Sequence, residues 1–243
     1  MKINEKRWNL AQSSEEKYWE QFTTKSLLEY LEKEYKKDLD KLLKRLRKFI
    51  TINKNTKILQ IGCGPLDIIN YFRKGKTYSI DPLAEFYKKR FKINYKSTHL
   101  KKASGEQIPY EDNYFDLVIL NNVLDHTKNP EKVLSEIFRV LKKEGILHLE
   151  IQIYQEIFLI LSKIWGPLKK LFTKEMFNIH HPHMFLSKDV EKIISQKFII
   201  LDKEYEDIEK LKEERKKQRF TLRFLALFKI WGNINYRFIC KKK

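Results

Sequence analysis

Between residues 57 and 81 an apolar run ends in two glycines one residue apart, and a second apolar run ends in an acid. The segment reads Lys57-Ile58-Leu59-Gln60-Ile61-Gly62-Cys63-Gly64-Pro65, and closes on Tyr78-Ser79-Ile80-Asp81. The chain has only seven glycines, so two of them here mark a sharp backbone turn that something can approach closely. Asp81 follows Gly64 by seventeen residues. Strand, glycine turn, helix, strand and acid form the layout of a nucleoside-binding βαβ unit. The turn offers amides at a helix start, and the acid can accept hydrogen bonds from both ribose hydroxyls. An adenosine-containing cofactor is the ligand this pattern implies. Asp81 also reads as an ordinary helix cap, because Pro82 follows it.

The rest of the chain supports an α/β fold. Apolar runs predict strands near 57–61, 76–80, 96–101, 115–120, 145–152, 197–203 and 234–240. Helices are expected near 66–73, 83–91, 130–142 and 187–196, with two more at 154–172 and 204–230. Such alternation implies a doubly wound, seven-stranded, mostly parallel sheet covered on both faces. The last strand follows a long helical stretch and is expected to insert antiparallel. Asn129-Pro130-Glu131 opens one helix with proline in its first turn, and Lys142-Lys143-Glu144-Gly145 closes it. Ahead of the sheet, leucines from Leu27 to Leu46 recur at three- and four-residue steps, and Ser13-Ser14-Glu15-Glu16 offers a capping start. The expected division is an N-terminal helical region, 1–55, and a larger domain, 56–243, with cap-like segments at 153–186 and 204–232.

Composition excludes some classes. Two cysteines, Cys63 and Cys240, make neither a disulfide framework nor a paired metal motif, which points to a reducing cytoplasm. No apolar signal core opens the chain, and no stretch reaches the roughly 20 apolar residues of a transmembrane helix. The net charge is +18, of which residues 210–243 carry +10, with 12 Lys and Arg against 2 Glu. A basic tail suits polyanions, either nucleic acid or an anionic membrane surface, and equally suits plain solvation. Tyr154 to Phe172 and Phe220 to Trp231 read as an apolar cap over a site or as membrane-surface helices.

Three further blocks carry a resemblance. They are Ser104-Gly105-Glu106-Gln107-Ile108-Pro109 running to Phe115-Asp116-Leu117-Val118, then Asn121-Asn122-Val123-Leu124-Asp125-His126, then Pro130-Glu131-Lys132-Val133-Leu134 to Arg139-Val140-Leu141-Lys142. In order and spacing they resemble the class I S-adenosylmethionine-dependent methyltransferases, in the branch of the quinone C-methyltransferases and small-molecule and glycan-tailoring enzymes. The resemblance runs from about residue 56 to 152, and more weakly to 200. It implies S-adenosylmethionine as cofactor, wrapped at its methionine part by Gly62, Cys63 and Gly64. It matches Asp81 to the ribose acid, and sets Ser104, Gly105 and Glu106 beside the adenine and Asn121 near the methionine moiety. Two positions depart from the pattern. Gln60 replaces the usual acid at the start of the motif, and Leu66 a frequent third glycine. Gln60 can still hydrogen-bond the cofactor's amino group, and Asp67 is a candidate for the missing charge.

Methyl transfer from a sulfonium needs alignment, exclusion of water and, for some acceptors, a general base. His126 is the candidate base, and the bland alternative is a histidine that hydrogen-bonds its loop. His180-His181-Pro182-His183 holds three of the six histidines. With both cysteines distant it is read as an acceptor-pocket loop, His181 and His183 being the substrate candidates, and no metal is expected. Trp8, Tyr18, Trp19 and Phe22 are read as packing rather than a lid. The expected activity is methylation of a small-molecule or lipid-linked acceptor, with oligomeric state left open. An RNA methyltransferase is one alternative, although no RNA-binding module is evident. A non-catalytic adapter acting through the basic tail is the other.

Overall fold

A computed structural model describes residues 2–66, 68–91, 100–156, 159–160, 181–206 and 234–243, the side chains of 30–36 and 70 excepted. Two helices open the chain, α1 (Glu5–Glu20) and α2 (Thr24–Leu46). Then come β1 (Lys57–Ile61), β2 (Lys76–Asp81), α3 (Ala84–Phe91), β3 (Leu100–Lys102) and β4 (Phe115–Asn121). The chain continues through α4 (Pro130–Val140), β5 (Leu141–Ile153), α5 (Ser187–Ser195), β6 (Phe198–Tyr205) and β7 (Ile234–Lys242). The seven strands form one sheet in the order β3-β2-β1-β4-β5-β7-β6. All neighbours pair parallel except β7, which runs antiparallel between β5 and β6. The expected doubly wound sheet with an antiparallel last strand is therefore observed.

Alternation along each strand divides the core. Leu59, Ile61, Val118, Leu120, Leu147 and Leu149 face α4 and α5, where Val133, Leu134, Ile137, Val190 and Ile194 cover them. Ile58, Leu117, Ile119, Ile146 and Ile239 face the other way, under Leu39, Leu42 and Leu46 of α2. Each fully buried leucine there stabilises the fold by roughly 1.5–3 kcal/mol. A third cluster fixes the α1–α2 turn against α3 through Leu27, Leu66, Tyr87 and Phe91, with Trp19 and Phe22 packed beside them. Two Arg90 hydrogen bonds, to the carbonyls of Glu20 and Phe22, hold the same turn.

Several expected boundaries move. Ser13-Ser14-Glu15-Glu16 lies inside α1; the helix caps are Asn4, which accepts from Arg7, and Thr23, which forms a capping box with Ser26. The helix expected at 66–73 is only a 3-10 turn, Ile68–Tyr71. The third strand is the short Leu100–Lys102, and residues 92–99 lie outside the described residues. So do most of the helices expected at 154–172 and 204–230, although β6 continues as strand through Tyr205. Among the described residues no helix is long and apolar enough to cross a membrane.

Candidate active site

The carboxyl ends of the parallel strands open into one cleft of about 990 Å³. This edge is where open α/β sheets bind ligands, because the strand order reverses beside β1. Of the sequence-derived candidates, Gln60, Gly62, Cys63, Gly64, Asp81, Ser104, Gly105, Glu106, Asn121, His126 and His181 line it. His183 does not.

The glycine turn leaves β1 in left-handed backbone. Gly62 has φ +65, and a Cβ there would sit 2.3 Å from Val123 Cγ2, so neither conformation nor space admits a side chain. Gly64 has φ +60 with nothing within 4 Å of its Cβ position, which leaves its outer side open to the cleft. Asp81 closes the turn from below. Its Oδ2 accepts from the Gly64 amide at 2.9 Å, and its Oδ1 from the Leu83 amide at 2.8 Å. The carboxylate that caps the Leu83 turn also lines the cleft. Burial pushes its pKa up to about 6, although the Gly64 and Leu83 amides pull the other way.

Gln60 is buried, and its Oε1 accepts from the Ile69 amide at 3.2 Å. One acceptor position of this side chain therefore holds the 3-10 turn, leaving the second lone pair for a ligand's ammonium. Asp67, the other candidate for that interaction, lies outside the described residues. A Cβ at Gly105 would sit 3.1 Å from Val133 Cγ1 and 3.3 Å from Ile61 Cγ2, so a larger residue there would crowd both. Glu106 Oε1 accepts from the Lys128 and Asn129 amides at 2.7 and 3.1 Å, tying the 104–106 segment to the start of α4. At the end of β4 the side-chain oxygens of Asn121 and Asn122 are buried without a hydrogen-bond partner among the described residues. Both residues line the cleft. Buried oxygens left without donors suit a ligand that brings donors of its own, as an amino-acid ammonium does.

Beside β4 a second group gathers. Asp125 is fully buried, and its Oδ2 lies 2.6 Å from His181 Nδ1 and 3.8 Å from His126 Nε2. The two imidazoles meet at 4.5 Å between centroids. Burial alone would raise the Asp125 pKa, but His126 and the bonded His181 hold it below the ordinary carboxylate range. Burial likewise works against charge on His181, and Asp125 outweighs it, so the His181 pKa is raised. Glu15 of α1 joins from above, its Oε2 4.0 Å from His126 Nδ1 while its Oε1 accepts from Trp19 Nε1.

Asp125, His126 and His181 also form a potential metal-ligand group, with donor atoms within 4.8 Å of one another. Two ligands of one tetrahedral zinc ion lie about 3.3 Å apart, given bonds of roughly 2.0–2.1 Å. The 2.6 Å contact is instead that of a charge-assisted hydrogen bond. His183 sits behind the cleft wall, with Nε2 2.9 Å from the Thr127 carbonyl and its amide donating to the Asp125 carbonyl. It braces the loop that carries Asp125 and does not line the cleft, where the sequence reading places it.

Trp19 and Phe22 pack against the third cluster as expected, and Trp8, Tyr18 and Trp19 in addition line the cleft as its roof. Sequence reasoning also missed Asp125 and Glu15 as site residues. Adjacency to His126 was a usable signal for Asp125; Glu15 was read as part of a cap.

The chain is similar to known methyltransferases. Residues 59–149 match the family model described as a methyltransferase domain. Over 108 residues the chain is 32% identical to an uncharacterized methyltransferase of Schizosaccharomyces pombe, covering 39% of this chain and 39% of that protein. Over 77 residues it is 36% identical to a ubiquinone/menaquinone biosynthesis C-methyltransferase of Paraburkholderia phytofirmans, covering 32% of this chain and 28% of that one. The aligned region thus spans well under half the length of these relatives. Among solved structures, the geranyl diphosphate C-methyltransferase of Streptomyces coelicolor, in complex with Mg2+, geranyl diphosphate and S-adenosyl-L-homocysteine, superposes with TM-score 0.60 at 10% identity. That match covers 82% of this chain and 75% of the other.

Proposed function

We propose that the chain, whose residues 59–149 match the methyltransferase-domain family model, transfers a methyl group from S-adenosylmethionine to a small-molecule acceptor. The observation that carries this reading is the Gly62–Gly64 turn closed by Asp81 at the carboxyl edge of the sheet. The open side of Gly64 and the unpartnered Asn121 and Asn122 oxygens fit the cofactor's amino-acid part, and Asp81 retains lone pairs for ribose hydroxyls. Ser104, Gly105 and Glu106 flank the base.

When bound, the cofactor supplies a methyl group already activated on a sulfonium. The protein's work is to orient the acceptor, exclude water and take up a proton where the acceptor has one to lose. Trp8, Tyr18 and Trp19 roof the cleft against solvent. Asp125 accepts from His181 Nδ1–H, which leaves Nε2 as the basic nitrogen, and holds His126 close by. We assign proton uptake to this histidine pair.

Charge favours a small molecule over RNA. In a chain of net charge +18, the cleft is lined by seven carboxylates, Glu15, Asp38, Asp81, Glu106, Glu150, Glu204 and Glu206, against the cations Lys37, Lys41 and Arg237. A polyanion entering it meets repulsion. Incubation with methyl-tritiated S-adenosylmethionine, a small-molecule extract and, separately, total RNA tests this. Label should pass to the small-molecule fraction; label passing to RNA alone would sink the assignment.

A further inference from the structure

Charge divides the cleft into two parts. Its lysine and arginine residues, Lys37, Lys41 and Arg237, all come from α2 and β7 and belong to the lobe over β5, β7 and β6. There Arg237 pairs with Glu150 at 3.1 Å and Lys41 with Asp38 at 3.8 Å. Over β1, β2 and β4, where the glycine turn and the histidine pair lie, no lysine or arginine lines the cleft among the described residues. Glu15, Asp81 and Glu106 do, and fully buried Asp125 stands beside the two histidines. A site of that sign draws cations.

Three of these four carboxylates are already engaged. Asp81 and Glu106 each accept two backbone amides, and Asp125 accepts from His181. Glu15 differs. Its Oε1 accepts from Trp19 Nε1 at 2.8 Å, while its Oε2 makes no hydrogen bond among the described residues and stands 4.0 Å from His126 Nδ1. A ligand nitrogen at the ordinary hydrogen-bond length of about 2.9 Å can reach both atoms at once. The sequence of α1 sets aromatic rings beside this carboxylate. Trp8, Gln12, Glu15 and Trp19 recur at steps of four, three and four, and so share one helix face. Tyr18 meets Trp19 edge-on at 5.1 Å, and all five residues line the cleft. Aromatic rings beside a carboxylate suit a substituted ammonium, whose charge both attract.

We propose that the acceptor is an amine, bound as its ammonium between Glu15 and His126. The inference rests on the methyltransferase reading and deepens it. The ammonium gives one N–H proton to the histidine pair, and the lone pair so freed forms the new N–CH3 bond as the S–CH3 bond breaks. S-adenosylhomocysteine leaves with the electron pair of that bond, and the product is the methylated ammonium. Positive charge thus passes from sulfur to nitrogen, so a carboxylate at the acceptor end attracts more strongly as the methyl moves. Other acceptors gain nothing from Glu15. A carboxylate or phosphate meets repulsion, and a hydroxyl would have to shed its proton beside a negative charge that opposes the loss.

The test gives the full-length protein methyl-tritiated S-adenosylmethionine and matched sets of primary amine, alcohol and carboxylate on phenethyl, hexyl and indolylethyl skeletons, with menadiol as a carbon acceptor. Label should pass to amines, as N-methyl products. Glu15→Gln, which keeps an acceptor for Trp19 Nε1, should raise KM for the amine at least tenfold, and Glu15→Asp should recover part of that loss. Calorimetry should find S-adenosylhomocysteine affinity within twofold of wild type in both variants, which a merely structural role for Glu15 would not allow. No amine labelled, whatever else takes label, overturns the proposal, as does amine transfer indifferent to Glu15→Gln. Absence of S-adenosylhomocysteine binding to the wild type would overturn the methyltransferase reading instead.

Discussion

Asp81 braces the fold with both carboxylate oxygens, the same two that the proposed function assigns to the ribose, and its titration should report both roles. Its pKa is raised by burial from 3.8 to about 6. The folded protein therefore holds this proton more tightly than the unfolded chain does. Stability from this group is fully present below 3.8 and is lost as pH rises through about 6, a difference of roughly 3 kcal/mol. Cofactor binding needs the carboxylate, so affinity for S-adenosylhomocysteine should fall as pH drops through about 6. Titration calorimetry across that range checks this, and a pH-independent affinity would refute it. Gly62 gives a steric counterpart. Gly62→Ala should destabilise by roughly 2–5 kcal/mol, from strained backbone and overlap with Val123. Chemical denaturation should also show part of that loss recovered when Val123→Ala is added. The Asp125–His181 pair has the opposite window to Asp81. Asp125 is depressed and His181 raised, so the pair stabilises above 3.8 and loses that contribution as pH climbs past 6.5. The difference in melting temperature between wild type and Asp125→Asn should be largest between those limits and shrink on the alkaline side.

At the scale of elements, the strands were legible because short apolar runs, such as Leu117-Val118-Ile119-Leu120 and Phe198-Ile199-Ile200-Leu201, have few other uses in a chain this charged. Pro130 behind Asn129 likewise marked α4 correctly. The break between α1 and α2 was not legible. Thr23-Thr24-Lys25-Ser26 is a weaker signal than Ser13-Ser14-Glu15-Glu16, yet contacts with α3 seat the turn at Thr23, and only the folded chain supplies them. Partition of the histidines was equally hidden. His181 and His183 are two residues apart and alike in type, and their roles are decided by which one the Asp125 loop meets with its carboxylate and which with its backbone. Within α2, Leu46 is fully buried between Leu42 and the sheet. Leu46→Ala should cost about 2–5 kcal/mol in urea denaturation. A loss below 1 kcal/mol would show that α2 is not part of the sheet's core.

For the whole molecule, the cleft spans two different parts of the same sheet edge. The glycine turn, Asp81 and the 104–106 segment lie over β1, β2 and β4, where the sequence pattern is dense and readable. The lobe over β5, β7 and β6 draws Glu150, Arg237, Asn235 and Glu204 from segments far apart in the chain. Only sheet register brings them together, so no local motif announces them. Charge follows the same division, with a basic chain enclosing a cleft rich in carboxylates. Isothermal titration of the full chain with S-adenosylhomocysteine, alongside Asp81→Ala, tests the central claim most directly. The account predicts one site per chain in the wild type and an affinity lower by about 10- to 100-fold in the variant, the worth of hydrogen bonds to a charged group. No binding to the wild type, or equal affinity in the variant, would contradict it.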